Sequence, residues 1–526
     1  MEDTGSARQC QTFAPSTPRL LASLRSRPSI RLVKLLPLAA LLCLIGPLHA
    51  QEAAPFDRLT FHAAPRPLTK DAMTADWPRV LGPRDDCSSP ETRLLKAWPQ
   101  SGPRPVWEIA TGEGYTTPII SGDRCLIFHA LGGKETLDCV HPETGKRFWS
   151  RDYAVEYQDR YGFGGGPRGS PVIAGGVVVT LGVTSQLHAF DLKTGAQLWQ
   201  HDLRKEYHVP QDFFGAGSSP LILDGRVIVH VGGKAEPFDG FEDRQDRARK
   251  LATKGVSVAA FDLMTGKVLW TVQDEWGASY ASPVPAKLHG QTKVLIYAGG
   301  ESDPATGGLL CLDPATGAVH DRFPWRDPEY IQATGSSPVV IPGQDRALIT
   351  TCYPKNRPLG AVMVAYDTTF KASAVWQSKK LACHWMTPLY QDGHLYAIDG
   401  ERENNSRLVC VDAATGAEVW AKNLEWEDAA LAAAQGRSKP TRMSVLRASL
   451  LHADGATLCL GETGSLHWLK LTPQGCEETA RTQLYYALST WSLPALSHGL
   501  LYVHQQAESM DRKHGTRVIC YDLRGE

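Results

Sequence analysis

From residue 116 onward, short apolar runs and turn residues alternate along the chain. The runs at 116–121, 124–130, 135–140 and 146–150 are joined by Gly122-Asp123 and Glu143-Thr144-Gly145. They read as four antiparallel strands, because runs this short bounded by Gly and Asp favour hairpins. Four such strands make one propeller blade. The unit recurs: Ser170-Pro171 leads to Trp199, Ser219-Pro220 to Trp270, Ser282-Pro283 to the turn at Thr316-Gly317, Ser337-Pro338 to Trp376 and Thr387-Pro388 to Trp420. A diverged copy covers 449–471, and Leu493-Pro494 opens a last copy that reaches Cys520. The fourth copy carries His320 where Trp is expected, and the fifth has its turn degraded to TTFKA. The pattern predicts an all-β fold, an eight-bladed β-propeller of four-stranded antiparallel blades.

The register of the ends predicts how the ring closes. The last copy stops at Leu523 before a fourth strand, whereas a fourth-strand signature, PVWEIA with Trp107, stands ahead of the first copy. An N-terminal strand around Trp107 completes the C-terminal blade, which leaves no open sheet edge between first and last blades. The repeated Trp is expected to pack on the small residue and turn glycine of the neighbouring blade. Segments 234–254 and 424–443 break the regularity and read as excursions near the loops between second and third strands; DAALAAAQGR suits a helix.

Ahead of the repeats, basic Arg25, Arg27, Arg31 and Lys34 precede an apolar run at 35–48, and Leu48-His49-Ala50 resembles a cleavage site. The run is short for a membrane span. The expected division is a targeting segment at 1–50, an extended linker at 51–76 and the propeller at 77–526, placing the protein in the periplasm or outside the cell after cleavage near Ala50. It is not expected to be an integral membrane protein. Composition sharpens little: 42% hydrophobic residues with 48 Gly and 35 Pro suit a turn-rich globular chain, and a net charge of -1 gives no electrostatic footprint for nucleic acid. The 12 cysteines show no CxxC spacing. Cys139, Cys311, Cys410 and Cys520 occupy one repeat position and read as small packing residues; Cys125 and Cys139 flank a turn and could bridge.

AFDLKTGAQLW at 189–199, AFDLMTGKVLW at 260–270 and CVDAATGAEVW at 410–420 resemble the signature of the pyrroloquinoline-quinone (PQQ)-like repeat family, small-x-Asp-x-x-Thr-Gly-x-x-x-Trp. The resemblance spans about residues 77–526. Trp77-Pro78, GAGSSPLI and FPWR look like the secreted or periplasmic branch related to the lipoprotein of outer-membrane β-barrel assembly. The family hosts scaffolds and enzymes alike. The enzyme branch implies a PQQ- and calcium-dependent alcohol or sugar dehydrogenase, and its alcohol-oxidising members imply adjacent cysteines against the cofactor, which this sequence lacks. The expectation is a non-catalytic exported scaffold, with no cofactor and no metal; PQQ and calcium belong to the alternative.

The segments before each Ser-Pro carry the chain from one blade to the next and should ring one mouth of the channel. They supply Tyr115, Arg168, Phe214 beside Phe213, Tyr280, Gln332, His384, Trp385 and Trp491, with Tyr157, Arg160, Tyr161, His208 and Asp212 expected nearby. Aromatic rings with a few polar groups suit a protein, glycan or small-molecule ligand. The chain is expected to be monomeric. Asp191, Asp262, Asp313 and Asp412 recur with the repeat and are expected to hold turns. Gly-rich 161–169 lacks the helix and Lys of a phosphate loop and reads as a mobile turn, and the mixed charges of FEDRQDRARK read as a solvated surface.

Overall fold

Seven four-stranded antiparallel sheets and one five-stranded sheet follow one another along the chain as eight blades. The computed structural model describes residues 56–99, 101–238, 243–400 and 406–525. The expected targeting segment and its cleavage site near Ala50 lie outside them. Blade 1 runs from Ile119–Ser121 to Arg147–Ala154, blade 2 from Val172–Ala174 to Gln197–Asp202, blade 3 from Leu221–Leu223 to Val268–Asp274 and blade 4 from Val284–Leu288 to Val319–Pro324. Blades 5, 6 and 7 open on Val339–Ile341, Leu389–Gln391 and Ser449–Ala453, and blade 8 on Ala495–Ser497. No helix among the described residues is long and apolar enough to cross a membrane.

The ring closes as the end register predicts. Arg104–Ala110 pairs antiparallel with Arg517–Asp522, opposing Arg104 to Asp522 and Trp107 to Cys520. Leu59–Phe61 adds a fifth strand outside it. Asp522, buried at the seam, accepts from the backbone N–H of Arg66 at 2.9 Å, from its guanidinium at 3.0 Å and from Arg104 at 3.0 Å. Residues 77–98 then pass under the ring: Trp77 bridges Ile120 of blade 1, Ser88 bridges His452 of blade 7, and Val80, Leu81 and Cys87 face the channel.

The repeated Trp is the joint between blades. Trp107, Trp149, Trp199, Trp270, Trp376 and Trp420, each on a fourth strand, donate Nε1–H to a backbone carbonyl in the turn of the next blade at 2.7–3.2 Å. In five of these joints the ring covers the turn glycine, as at Gly195 under Trp149 and Gly266 under Trp199. The turn is held in place by Asp191, Asp262, Asp313 and Asp412, whose carboxylates each accept from the Thr three residues on. An indole therefore buries apolar surface and satisfies one turn carbonyl at once.

Two joints depart from the rule, and each corrects the repeat alignment. In blade 4, Cys311 pairs with Asp321, so Asp321 takes the Trp position and His320 is the bulge residue beside it. Asp321 accepts from Ala372 N–H at 2.9 Å, and His320 packs on Phe370, which stands at φ 64 in the shortened fifth turn. In blade 7 the large and small residues have exchanged strands: Trp468 lies on the third strand opposite Ala480 and donates to Leu95, whose N–H bonds Leu523. The opening segment thus replaces the turn that blade 8 lacks, and the exchange is why this copy looks diverged. Segment 234–254 does lie between second and third strands, but 424–443 lies between blades 6 and 7, as the hairpin Glu425–Asp428 with Thr441–Ser444 and the helix Ala429–Ala434. Cys125 and Cys139 form no disulfide.

Around the channel, the Ser-Pro motifs form a belt. Thr117 N–H donates to Ser170 Oγ, Ser170 to Ser219, Ser219 to Ser282, Ser282 to Ser337 and Ser337 to Thr387, at 2.9–3.1 Å. Each hydroxyl satisfies the backbone donor at the entry of the preceding blade, where no ladder partner exists. The belt fixes the heights at which the loops above it leave the ring.

Candidate functional site

Those loops enclose a cavity of 1270 Å³ at one mouth of the channel. Tyr115, Arg168, Phe214, Tyr280, Gln332, His384, Trp385 and Trp491 all line it. Tyr115, Arg168, Tyr280, Trp385 and Trp491 also line a 120 Å³ cavity beneath, with Leu81, Cys87 and the serine belt. They form a partition, so the upper cavity is a well with an aromatic floor.

The floor is a set of touching rings. Tyr115 stacks on Trp491 with centroids 5.1 Å apart and planes 18° from parallel. Trp385 lies 6.1 Å from Trp491, and His384 stacks on Trp385 at 3.8 Å. Phe214 meets Tyr280 at 5.5 Å and Trp385 at 6.1 Å. Two glycines make this approach possible: a Cβ on Gly217 would sit 2.4 Å from the Tyr280 ring, and one on Gly335 2.6 Å from Trp385. Tyr161 and Phe163 stand above as an exposed wall against Phe214, at 5.4 and 5.8 Å.

The polar groups around the floor are tied to one another. Arg168 pairs with Asp159 at 3.1 Å, donates to the carbonyls of Phe163 and Gly164, and lies over the rings of Tyr115 and Tyr157. It thereby pins the Gly-rich segment, which is a held loop rather than a loose turn. Arg447 pairs with Glu462 and sits 4.8 Å over Trp491, whose Nε1–H donates to the same carboxylate at 2.8 Å. Tyr353 and His384 Nε2 are bonded at 2.8 Å. Burial pushes the phenols of Tyr115 and Tyr280 up, so both keep their protons across the neutral range.

Of the further residues expected here, Tyr161 lines the well, Tyr157 lies under Arg168, and Arg160 and Asp212 stand behind the wall. His208 does not join them; left-handed at φ 54 after the helix Leu203–Tyr207, it faces a side cavity with Asp202 and Phe238. Tyr330, Tyr353, Lys355, Arg447, Glu462 and Leu488 were not marked by the repeat. Tyr353, Lys355 and Glu462 sit in loops between second and third strands, outside the pre-Ser-Pro segments; the long Cys352–Leu359 loop, spelled CYPKNRPL, was the readable signal.

The donor set of the described residues does not fit a calcium-bound quinone. Among the described residues Glu462 is the one carboxylate lining the well and both its oxygens face Arg447, and no group of three or more His, Cys, Asp or Glu could hold a metal ion. Arg168 and Arg447, which could meet the carboxylates of PQQ, are already committed to Asp159 and Glu462.

Residues 133–422 match the family model of the outer membrane protein assembly factor BamB. No curated protein sequence matches. Among solved structures the chain is similar to BamB from Moraxella catarrhalis, at 15% identity and TM-score 0.46 over 80% of this chain and 98% of that one. It is similar also to the quinohemoprotein alcohol dehydrogenase ADHIIG from Pseudomonas putida HK5, at 12% identity and TM-score 0.47 over 80% and 75%. A europium-containing methanol dehydrogenase matches at 11% identity and TM-score 0.45 over 85% and 98%.

Proposed function

The chain belongs to the PQQ-like repeat propeller family described by the outer membrane protein assembly factor BamB, and from that premise we propose that it is an exported, non-catalytic binding scaffold whose ligand enters the aromatic well. The observation that carries this is the pairing of both guanidiniums at the floor with carboxylates, among the aromatic rings that line the well. Such a floor suits a ligand with flat apolar faces, which gains contact area without unpairing either guanidinium. In this reading the Arg168–Asp159 and Arg447–Glu462 pairs hold the floor in shape rather than act on a substrate. The family's assembly factors make a protein partner the natural source of such a face.

The rival is a PQQ-dependent dehydrogenase. The test adds PQQ and Ca²⁺, follows the cofactor spectrum and assays dye-linked oxidation of alcohols and sugars. The scaffold reading expects no turnover; robust turnover contradicts it. A Tyr115/Arg168/Trp385 triple alanine variant, used in capture from periplasmic extract, tests the place of binding: unchanged capture puts the site elsewhere.

A further inference from the structure

Behind the wall of the well, one carboxylate gathers three separate parts of the ring. Glu301, in the loop between second and third strands of blade 4, is 7% exposed. It accepts from both terminal nitrogens of Arg160, at 2.5 and 3.3 Å, and from Arg247. Arg160 stands in the loop from blade 1 to blade 2, and Arg247 on the helix Arg244–Leu251 of the blade 3 insertion. The Glu301 backbone N–H donates to Asp212 Oδ1 at 3.2 Å, and Arg160 also donates to the Gln211 carbonyl.

The residues next in sequence are wall residues. Tyr161 follows Arg160, and Phe213 and Phe214 follow Asp212; all three line the well and touch one another. Tyr161 is 56% exposed, so packing beneath it does little to hold it. We propose that Glu301 is a positioning residue: by clamping Arg160 and Arg247 it fixes the aromatic wall, and through Arg247 the blade 3 insertion governs the well. This deepens, and rests on, the reading of the well as the ligand site.

The physical reason is the shared carboxylate. With the carboxylate removed, the two half-buried guanidiniums lose the acceptor that joins them, and the loops carrying them separate. A helix in one blade's insertion then acts on loops of two others without touching ligand.

The experiment uses the full chain. Amide hydrogen exchange is measured over 157–168 and 211–217 in the wild type, Glu301→Gln, Arg247→Ala and Arg249→Ala. Arg249 lies on the same helix and, among the described residues, pairs with Glu236 and Asp246 on the surface. Glu301→Gln and Arg247→Ala are expected to raise exchange in both segments at least tenfold while blade 6 stays protected, and Arg249→Ala to leave it unchanged. Arg247→Ala carries the test alone if Glu301→Gln fails to fold. Exchange at 211–217 unchanged in the clamp variants, or raised equally in every blade, overturns the proposal. Titration with maltohexaose and with an uncharged Trp-containing hexapeptide follows: affinity for the probe that binds wild type should fall at least tenfold in Glu301→Gln and recover in part in Glu301→Asp. If exchange rises as expected but neither probe binds the wild type, the ligand reading fails and the clamp stands.

Discussion

Trp199 of blade 2 lies against Gly266 of blade 3 so closely that a side-chain carbon on that glycine would meet its Cγ at 2.6 Å, and its indole donates to the Leu263 carbonyl at 2.9 Å. Gly266 has φ 70 as well, so Ala there meets both a strained backbone and an indole. Gly225, at φ 73, has open space around it. Gly225→Ala should cost about 1–2 kcal/mol from the backbone alone, and Gly266→Ala a further 1–3 kcal/mol or so from overpacking. Urea unfolding of the two variants checks the difference; equal costs would mean the indole yields freely.

The serine belt predicts an asymmetry at one position. Ser219→Ala leaves the buried Ser170 N–H without its acceptor and should cost about 1–3 kcal/mol. Ser219→Thr keeps the hydroxyl and should be close to neutral, since Thr387 already serves in the same role. Thermal unfolding of both variants measures this.

The seam where the termini meet predicts the effect of removing one charge. Burial works against ionisation of Asp522, but hydrogen bonds from Arg66, Arg524 and Arg104 hold its carboxyl below the usual range. Asp522→Asn weakens this latch; discounting for the partial exposure of Arg66 and Arg104, the cost is roughly 1–2 kcal/mol. Because the folded pKa is depressed, the Asp522 contribution is present above the unfolded value and is lost as pH falls below about 3.8. The gap between wild type and variant should therefore close in acid, as read by urea unfolding at pH 7 and pH 3.

Much of this architecture was legible because its joints are local motifs. AFDLMTGKVLW spells a strand, an Asp-held turn and the Trp that reaches the next blade, so eight units and the displaced strand at Trp107 could be read from residue order alone. Of the two exceptions, one was hidden for a physical reason. His320 reads as the substitute for Trp, although the signature counted from Cys311 already falls on Asp321, as strand pairing shows; Trp468 fills its place from the wrong strand, which no alignment by position reveals. All eight candidate residues meet in one well because the chain leaves each blade on the same face. Arg447 and Glu462 escaped notice because their importance lies in pairing with each other under Trp491, a relation made in space rather than in sequence.

A buried histidine supplies a pH test of the fold. His230 is 3% exposed, and burial pulls its pKa from 6.5 to about 4. The folded state keeps it neutral while the unfolded chain takes up a proton below 6.5, so its effect is a loss of stability that grows as pH falls from 6.5 to 4. His230→Leu removes that loss. Relative to wild type, the variant should gain up to about 1.4 kcal/mol per pH unit across this window, measured by urea unfolding at pH 7, 6 and 5.

The central claim is that the aromatic floor receives a flat-faced ligand. The most direct measurement is the intrinsic fluorescence of the full chain titrated with maltohexaose and with the uncharged Trp-free analogue of the hexapeptide bearing Phe and Tyr, in wild type and in Trp385→Ala. The account predicts saturable quenching by at least one of the two in wild type, weakened at least tenfold in Trp385→Ala. Saturable binding of equal strength in both proteins, or no response to either probe, would contradict it.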